Sequence, residues 1–188
     1  MISREEAFEF LKEHVKSDSL IKHSLAVEGA MKGYAKKFDK DVERWSVCGL
    51  LHDIDFEKYP DEHPLKGVDI LREKGFDKDF VSAVKGHADF TNTPRETLMA
   101  KVLYAVDELS SFTIAAVLVR PQRFGGLKVK SIKKKLKSKS FAQAVNRETI
   151  KNGAKELGVE LNEHIQTVID ALTEHEKDLN KEGLSLIE

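Results

Sequence analysis

Apolar residues recur every three or four positions along most of the chain, and no strict alternation of useful length occurs. That pattern predicts helices throughout and no sheet. Ser3 with Glu6 forms a capping box ahead of the stripe Ala7, Phe8, Leu11 and Val15, which marks a first helix. Asp18 or Ser19 is expected to cap a second, with Leu20, Val27, Ala30, Met31 and Tyr34 facing inward and an end near Phe38. A third runs from about Asp41 to His52. Ile54 to His63 reads as a polar loop containing Pro60, and Pro64 suits the first position of a fourth helix with Leu65, Val68 and Leu71. Gly75 stops it. Phe80, Val81 and Val84 mark a short helix ending near Gly86-His87. Thr93-Pro94 is expected to open a long one bearing Leu98, Met99, Val102, Leu103 and Val106. Residues 112–119 are apolar nearly all round, which predicts burial. After a loop from Pro121 to Gly126, two helices are expected over about 146–157 and 160–180, divided by Gly158. The expectation is a single all-α domain over residues 1–188.

Composition narrows the class. The chain has 188 residues, enough for a substantial core. Its net charge of -1 argues against whole-molecule electrostatic binding of nucleic acid. A single cysteine, Cys48 in an apolar run, excludes an internal disulfide framework and points to a reducing, cytoplasmic setting. No apolar stretch approaches the ~20 residues that span a bilayer. The start, Met1-Ile2-Ser3-Arg4-Glu5-Glu6, lacks the order of a signal peptide.

Five polar residues fall on the apolar stripes. His23 lies three residues after Leu20 and four before Val27. His52 lies four after Cys48, and Asp53 three after Leu50. His87 lies three after Val84, and Asp107 four after Leu103. Each should point inward from its helix. A buried polar group without a partner costs ~1–3 kcal/mol, and a bare charge far more. Separate His–Asp hydrogen bonds would satisfy any one of these residues. Three histidines and two aspartates from four helices are better explained by a shared divalent cation. His63, between the His52-Asp53 pair and His87, is a further candidate ligand.

The ordered set His23, His52-Asp53 and Asp107 resembles the HD-domain superfamily of metal-dependent phosphohydrolases. Leu50-Leu51-His52-Asp53-Ile54-Asp55 is similar to its defining segment. His63-Pro64-Leu65-Lys66-Gly67 is similar to the His-Pro-x-x-Gly stretch of two-metal members, and Gly86-His87 to their next histidine. The resemblance implies an HD-domain-like helical bundle, with a metal-binding core over 19–110 and C-terminal helices over 111–188 packed on it. It implies one metal on His23, His52, Asp53 and Asp107, and a second on His63 and His87 bridged by Asp53. The metals would be manganese, iron, cobalt, nickel or magnesium. The Gly-Tyr-Pro signature and His-His pair of cyclic-dinucleotide phosphodiesterases are missing, which argues against that substrate.

The expected reaction is hydrolysis of a phosphomonoester or phosphoanhydride, with a nucleotide as the leading small-molecule substrate, by metal-activated hydroxide. Asp53 would act catalytically as the bridge, and Asp55 as general acid or as partner to a histidine ligand. Lys66, Lys85, Arg120 and Arg123 are the candidate substrate-binding cations. The same ligand set also fits a di-iron oxygenase that cleaves a polyol or phosphonate. A third reading is a nucleotide- or RNA-binding module using the lysines between Leu127 and Ser140; aromatic interleaving is missing there, and consecutive lysines should point around a helix. His14, His164 and His175 have charged neighbours and are expected at the surface. No base is indicated for Ser110 or Ser111 as a nucleophile.

Overall fold

The computed structural model describes residues 2–188. Among them are nine α-helices and no strand: α1 (Arg4–His14), α2 (Asp18–Lys37), α3 (Val42–Leu51), α4 (Leu65–Glu73), α5 (Lys78–Gly86), α6 (Leu98–Leu118), α7 (Val129–Leu136), α8 (Arg147–Leu157) and α9 (Leu161–Lys181). The all-α expectation holds. None of these helices is long and apolar enough to cross a membrane.

The long helices α2 and α6 lie at the centre. α2 packs on α3, α6 and α9, while α6 also meets α5 and α8. Val27, Ala30 and Met31 of α2 join Val102, Leu103, Val106 and Leu109 of α6 in one continuous core. Full burial of each large apolar side chain is worth ~1.5–3 kcal/mol. Gly49 lets α3 approach α2 closely. A Cβ there would lie 2.8 Å from the Val27 carbonyl oxygen and 2.9 Å from the Glu28 backbone. That crossing brings His52, at the end of α3, up to His23 on α2.

Helix ends follow their local chemistry. Ser3 and Glu6 form the reciprocal capping box of α1, and Gly158 closes α8 at φ 72°. Two starts differ from expectation. α2 begins behind Ser17, whose hydroxyl makes no cap. Glu57, from the loop after α3, instead fixes the segment leading into the helix, accepting the Lys16 and Ser17 N–H groups at 2.8 and 2.9 Å. α6 begins at Leu98 with Thr97 as its cap, several residues after Pro94. Pro94 disfavours helical backbone at Thr93, so the segment stays extended until the next capping side chain.

Burial differs from expectation at two places. Phe112, Thr113, Ala116 and Val117 are buried as expected, but α6 runs past the core at its end, where Leu118 and Val119 are 46% and 60% exposed. His164 and His175 of α9 are buried and His14 is half-buried, because their charged neighbours occupy the other faces of their helices. His164 Nε2 donates to the Ala105 carbonyl at 2.9 Å, and its Nδ1 accepts from the Tyr34 hydroxyl. His175 lies 3.5 Å from the fully buried Glu28, which also pairs with Arg4 and Lys32. The consecutive lysines were expected to point around their helix, and Lys135 does turn away, toward the Phe141 ring, while Lys133 and Lys134 line one groove with Lys130 and Lys137, facing Asn162.

Candidate metal centre

His23 enters from the first turns of α2 and Asp107 from the middle of α6. His52 and His87 are the C-caps of α3 and α5, and Asp53 follows His52 directly. A helix ends with unpaired carbonyls. His52 Nδ1 donates to the Gly49 carbonyl at 2.8 Å, and His87 Nδ1 to the Val84 carbonyl at 2.5 Å, each three residues back. One local geometry, used twice, thus turns two Nε2 atoms inward. His63 reaches in from the loop before α4, its Nδ1 2.8 Å from Asp55 Oδ1. His23 Nδ1 lies 2.9 Å from the Ser111 hydroxyl on α6.

The inward atoms converge on Asp53. Its Oδ1 lies 3.3 Å from His52 Nε2, 3.6 Å from His63 Nε2 and 3.4 Å from His87 Nε2. Its Oδ2 lies 3.3 Å from His23 Nε2. Asp107 Oδ1 lies 3.2 Å from His23 Nε2 and 3.7 Å from His52 Nε2. Ligands held at ~2.1 Å from one cation sit roughly 3.0–3.4 Å apart, depending on geometry. The spacings therefore suit coordination. Among the described residues two groups are compact enough for an ion: His23, His52 and Asp107, and His52, Asp53 and His87. His63 stands at the edge of the second.

The donor chemistry also calls for a cation. His52 and His87 give their Nδ1 protons to carbonyls, so their Nε2 atoms carry lone pairs when neutral. His23 Nε2 and His52 Nε2 are only 3.1 Å apart. At that distance either a proton on one of the two nitrogens or a metal that both face is required. Burial pulls His23 down, but Asp107 and Asp53 outweigh it and hold the imidazole up at about 10. Burial pulls His87 down too, and Asp53 holds it up at about 9. Burial works against ionised Asp53 and Asp107, yet the surrounding histidines keep both far below the usual carboxylate range. A divalent cation binding here would displace those protons. Asp53 and Asp107 keep 14% and 21% of their side chains exposed, so the cluster opens to solvent.

All six expected ligands thus come together. Asp55 is fully buried behind His63. Its second oxygen accepts the Gly67 N–H at 2.7 Å, so its geometry is that of a support to His63 rather than a group facing a reactant. The expected cations are not gathered at the cluster. Arg120 donates to the Arg123 and Gly125 carbonyls, and Arg123 to the Leu118 carbonyl, where they satisfy the end of α6. The Lys66 ammonium sits 5.4 Å from the Tyr59 ring, and Lys85 lines a groove with Arg72 and Phe76.

Sequence reasoning considered Ser111 only as a nucleophile without a base and missed its bond to His23, and it missed Lys22 altogether. Ser111, four residues after Asp107, shares its helix face and was legible as a partner for an inward histidine. Lys22 adjoins His23 and lines a cavity of about 260 Å³ that leads away from it.

Residues 20–111 match the model of the HD domain family, and the chain carries an HD domain. It is 32% identical over 98 residues to ribonuclease Y of Nitratidesulfovibrio vulgaris, covering 50% of this chain and 18% of that protein. It is 34% identical over 100 residues to an uncharacterized protein of Methanocaldococcus jannaschii, covering 50% of this chain and 59% of the other. The matched region thus spans under two thirds of the length of each of these curated relatives. No solved structure matches it.

Proposed function

We propose that the chain is a metal-dependent phosphohydrolase acting on a phosphomonoester or phosphoanhydride, with a nucleotide as the leading candidate and a cytoplasmic setting. The observation that carries this reading is the Asp53 carboxylate, whose two oxygens lie within 3.3–3.6 Å of four imidazole Nε2 atoms. His23, His52, Asp53 and Asp107 would hold one divalent metal, and Asp53, His63 and His87 a second. When bound, such metals supply water activated near neutral pH and positive charge for the phosphoryl oxygens. The chain's own residues do the rest. Ser111, Gly49, Asp55 and Val84 hold the four imidazoles in register. The partly exposed edges of Asp53 and Asp107 leave the reactant a path in. The likeness to a protein named as a ribonuclease adds support for chemistry at a phosphoester.

Elemental analysis of protein purified without added metal, together with phosphate release, tests the reading. One to two equivalents of transition metal are expected, with anaerobic phosphate release in manganese, cobalt or nickel. Asp53→Ala should lose both. An Asp53→Ala protein with full metal content would overturn the proposal. Iron- and dioxygen-dependent turnover without phosphate release would assign the oxygenase reaction instead.

A further inference from the structure

The cavity beside His23 has a composition of its own. It lies between α2 and α6, holds about 260 Å³, and shares His23 and Ser111 with the metal centre. Its other walls are Ala26 of α2, Ile114, Ala115 and Leu118 of α6, and Leu186 of the C-terminal segment, with the polar Ser19 and Lys22 on the α2 side. Leu186 is fixed from behind: its N–H and the Ser185 hydroxyl each donate to the Glu176 carboxylate at 2.7 Å, and Ser185 Oγ in turn accepts the Ile187 and Glu188 N–H groups. The cavity is therefore a built space and not a crevice between loose side chains. Lys22 stands at its rim, with its ammonium on the exposed Asp18 carboxylate at 2.5 Å.

We infer that this cavity receives the organic group of the substrate, that this group is apolar, and that Lys22 supports the adjoining phosphate. The inference rests on the phosphohydrolase reading. In that reaction a bond forms between water oxygen and phosphorus while the bond from phosphorus to the ester oxygen breaks, and the departing oxygen takes up a proton. The organic group must stay beside the metal centre throughout. The apolar space bordered by His23 and Ser111 can hold it. Below the ~300 Å³ of sites for drug-sized ligands, it suits one ring system or a short alkyl chain, not a second nucleoside. A polyol would lose its hydrogen bonds to water against Ala26, Ile114 and Ala115, which offer none in return.

The test uses the metal-loaded protein and two non-hydrolysable probes, methylphosphonate and butylphosphonate, with binding read by calorimetry. Each methylene moved from water into an apolar site is worth about fourfold in affinity. Butylphosphonate is expected to bind at least tenfold tighter. In Ala115→Leu, which fills the space, the ratio should fall to about threefold or less, with metal content unchanged. In the activity readout, kcat/KM for 1-naphthyl phosphate should exceed that for glycerol phosphate, and Lys22→Met should raise KM more than it lowers kcat. Equal affinity for the two phosphonates, or a tenfold ratio that survives Ala115→Leu, overturns the inference while leaving hydrolysis intact. If neither phosphonate binds and no ester is cleaved, the phosphohydrolase reading falls with it.

Discussion

Asp55 is the residue whose burial says most about its work. Both its oxygens are committed, one to His63 Nδ1 and one to the Gly67 N–H, and a Cβ on Gly67 would sit 2.9 Å from Oδ1. It is a positioning residue for the histidine nearest the edge of the centre. Losing such an outer partner typically costs 10–100-fold in metal affinity. Asp55→Asn should therefore weaken the second metal site about tenfold or more while the first stays filled, and excess metal should restore turnover. If turnover stays low at saturating metal, Asp55 takes part in proton transfer. A different histidine gives a pH signature. Burial lowers His164 to about 4, with both ring nitrogens already bonded. The unfolded chain takes up the proton near 6.5, so this contribution is complete above that pH and is lost as pH falls toward 4. The loss amounts to about 3 kcal/mol at most. In urea unfolding of metal-free protein, the stability gap between wild type and His164→Gln should narrow by that order between pH 7 and pH 4. A gap constant over that range would contradict the assignment.

At the scale of elements, the crossing of α3 on α2 couples stability to the metal centre. Gly49 supplies both the space for the crossing and the carbonyl that orients His52. Gly49→Ala would force its Cβ onto the Val27 carbonyl, and overpacking of this kind costs ~1–3 kcal/mol. The variant should melt lower and bind metal more weakly, and the two losses should appear together. Normal metal affinity in a destabilised protein would show that the crossing does not set the His52 position. The elements also show what was legible beforehand. His23, His52, His87 and Asp107 stood at helical spacing from apolar residues, so their inward direction followed from sequence and the structure gathers them. The supports of His52 and His87 are backbone carbonyls, which no residue type announces. Lys22 was hidden for another reason. As the immediate neighbour of His23 it falls off the apolar stripe, and only the groove between α2 and α6 brings both to one space. Arg120 and Arg123 attracted attention by position in sequence, yet they close the end of α6.

Over the whole molecule, a net charge of -1 conceals an uneven distribution. Residues 127–140 hold seven lysines and no acid, so the rest of the chain carries -8. The four lysines that line one groove of α7 lie against Asn162 of α9, and that groove shares no residue with the cavity beside His23. Lys135 stands apart from them, its ammonium 4.1 Å from the Phe141 ring. A field from exposed charges fades over about 8 Å at physiological salt, and α7 packs chiefly on α9. Small phosphorylated substrates should therefore reach the metal centre without help from this patch. Reversing Lys133 and Lys134 to glutamate is expected to leave KM for a small phosphomonoester within about twofold at 0.15 M salt, a range set by that screening. Steady-state kinetics at that salt and at tenfold lower salt would decide it. A rise beyond fivefold at physiological salt would mean that the lysine groove and the metal centre act on the substrate as one electrostatic surface.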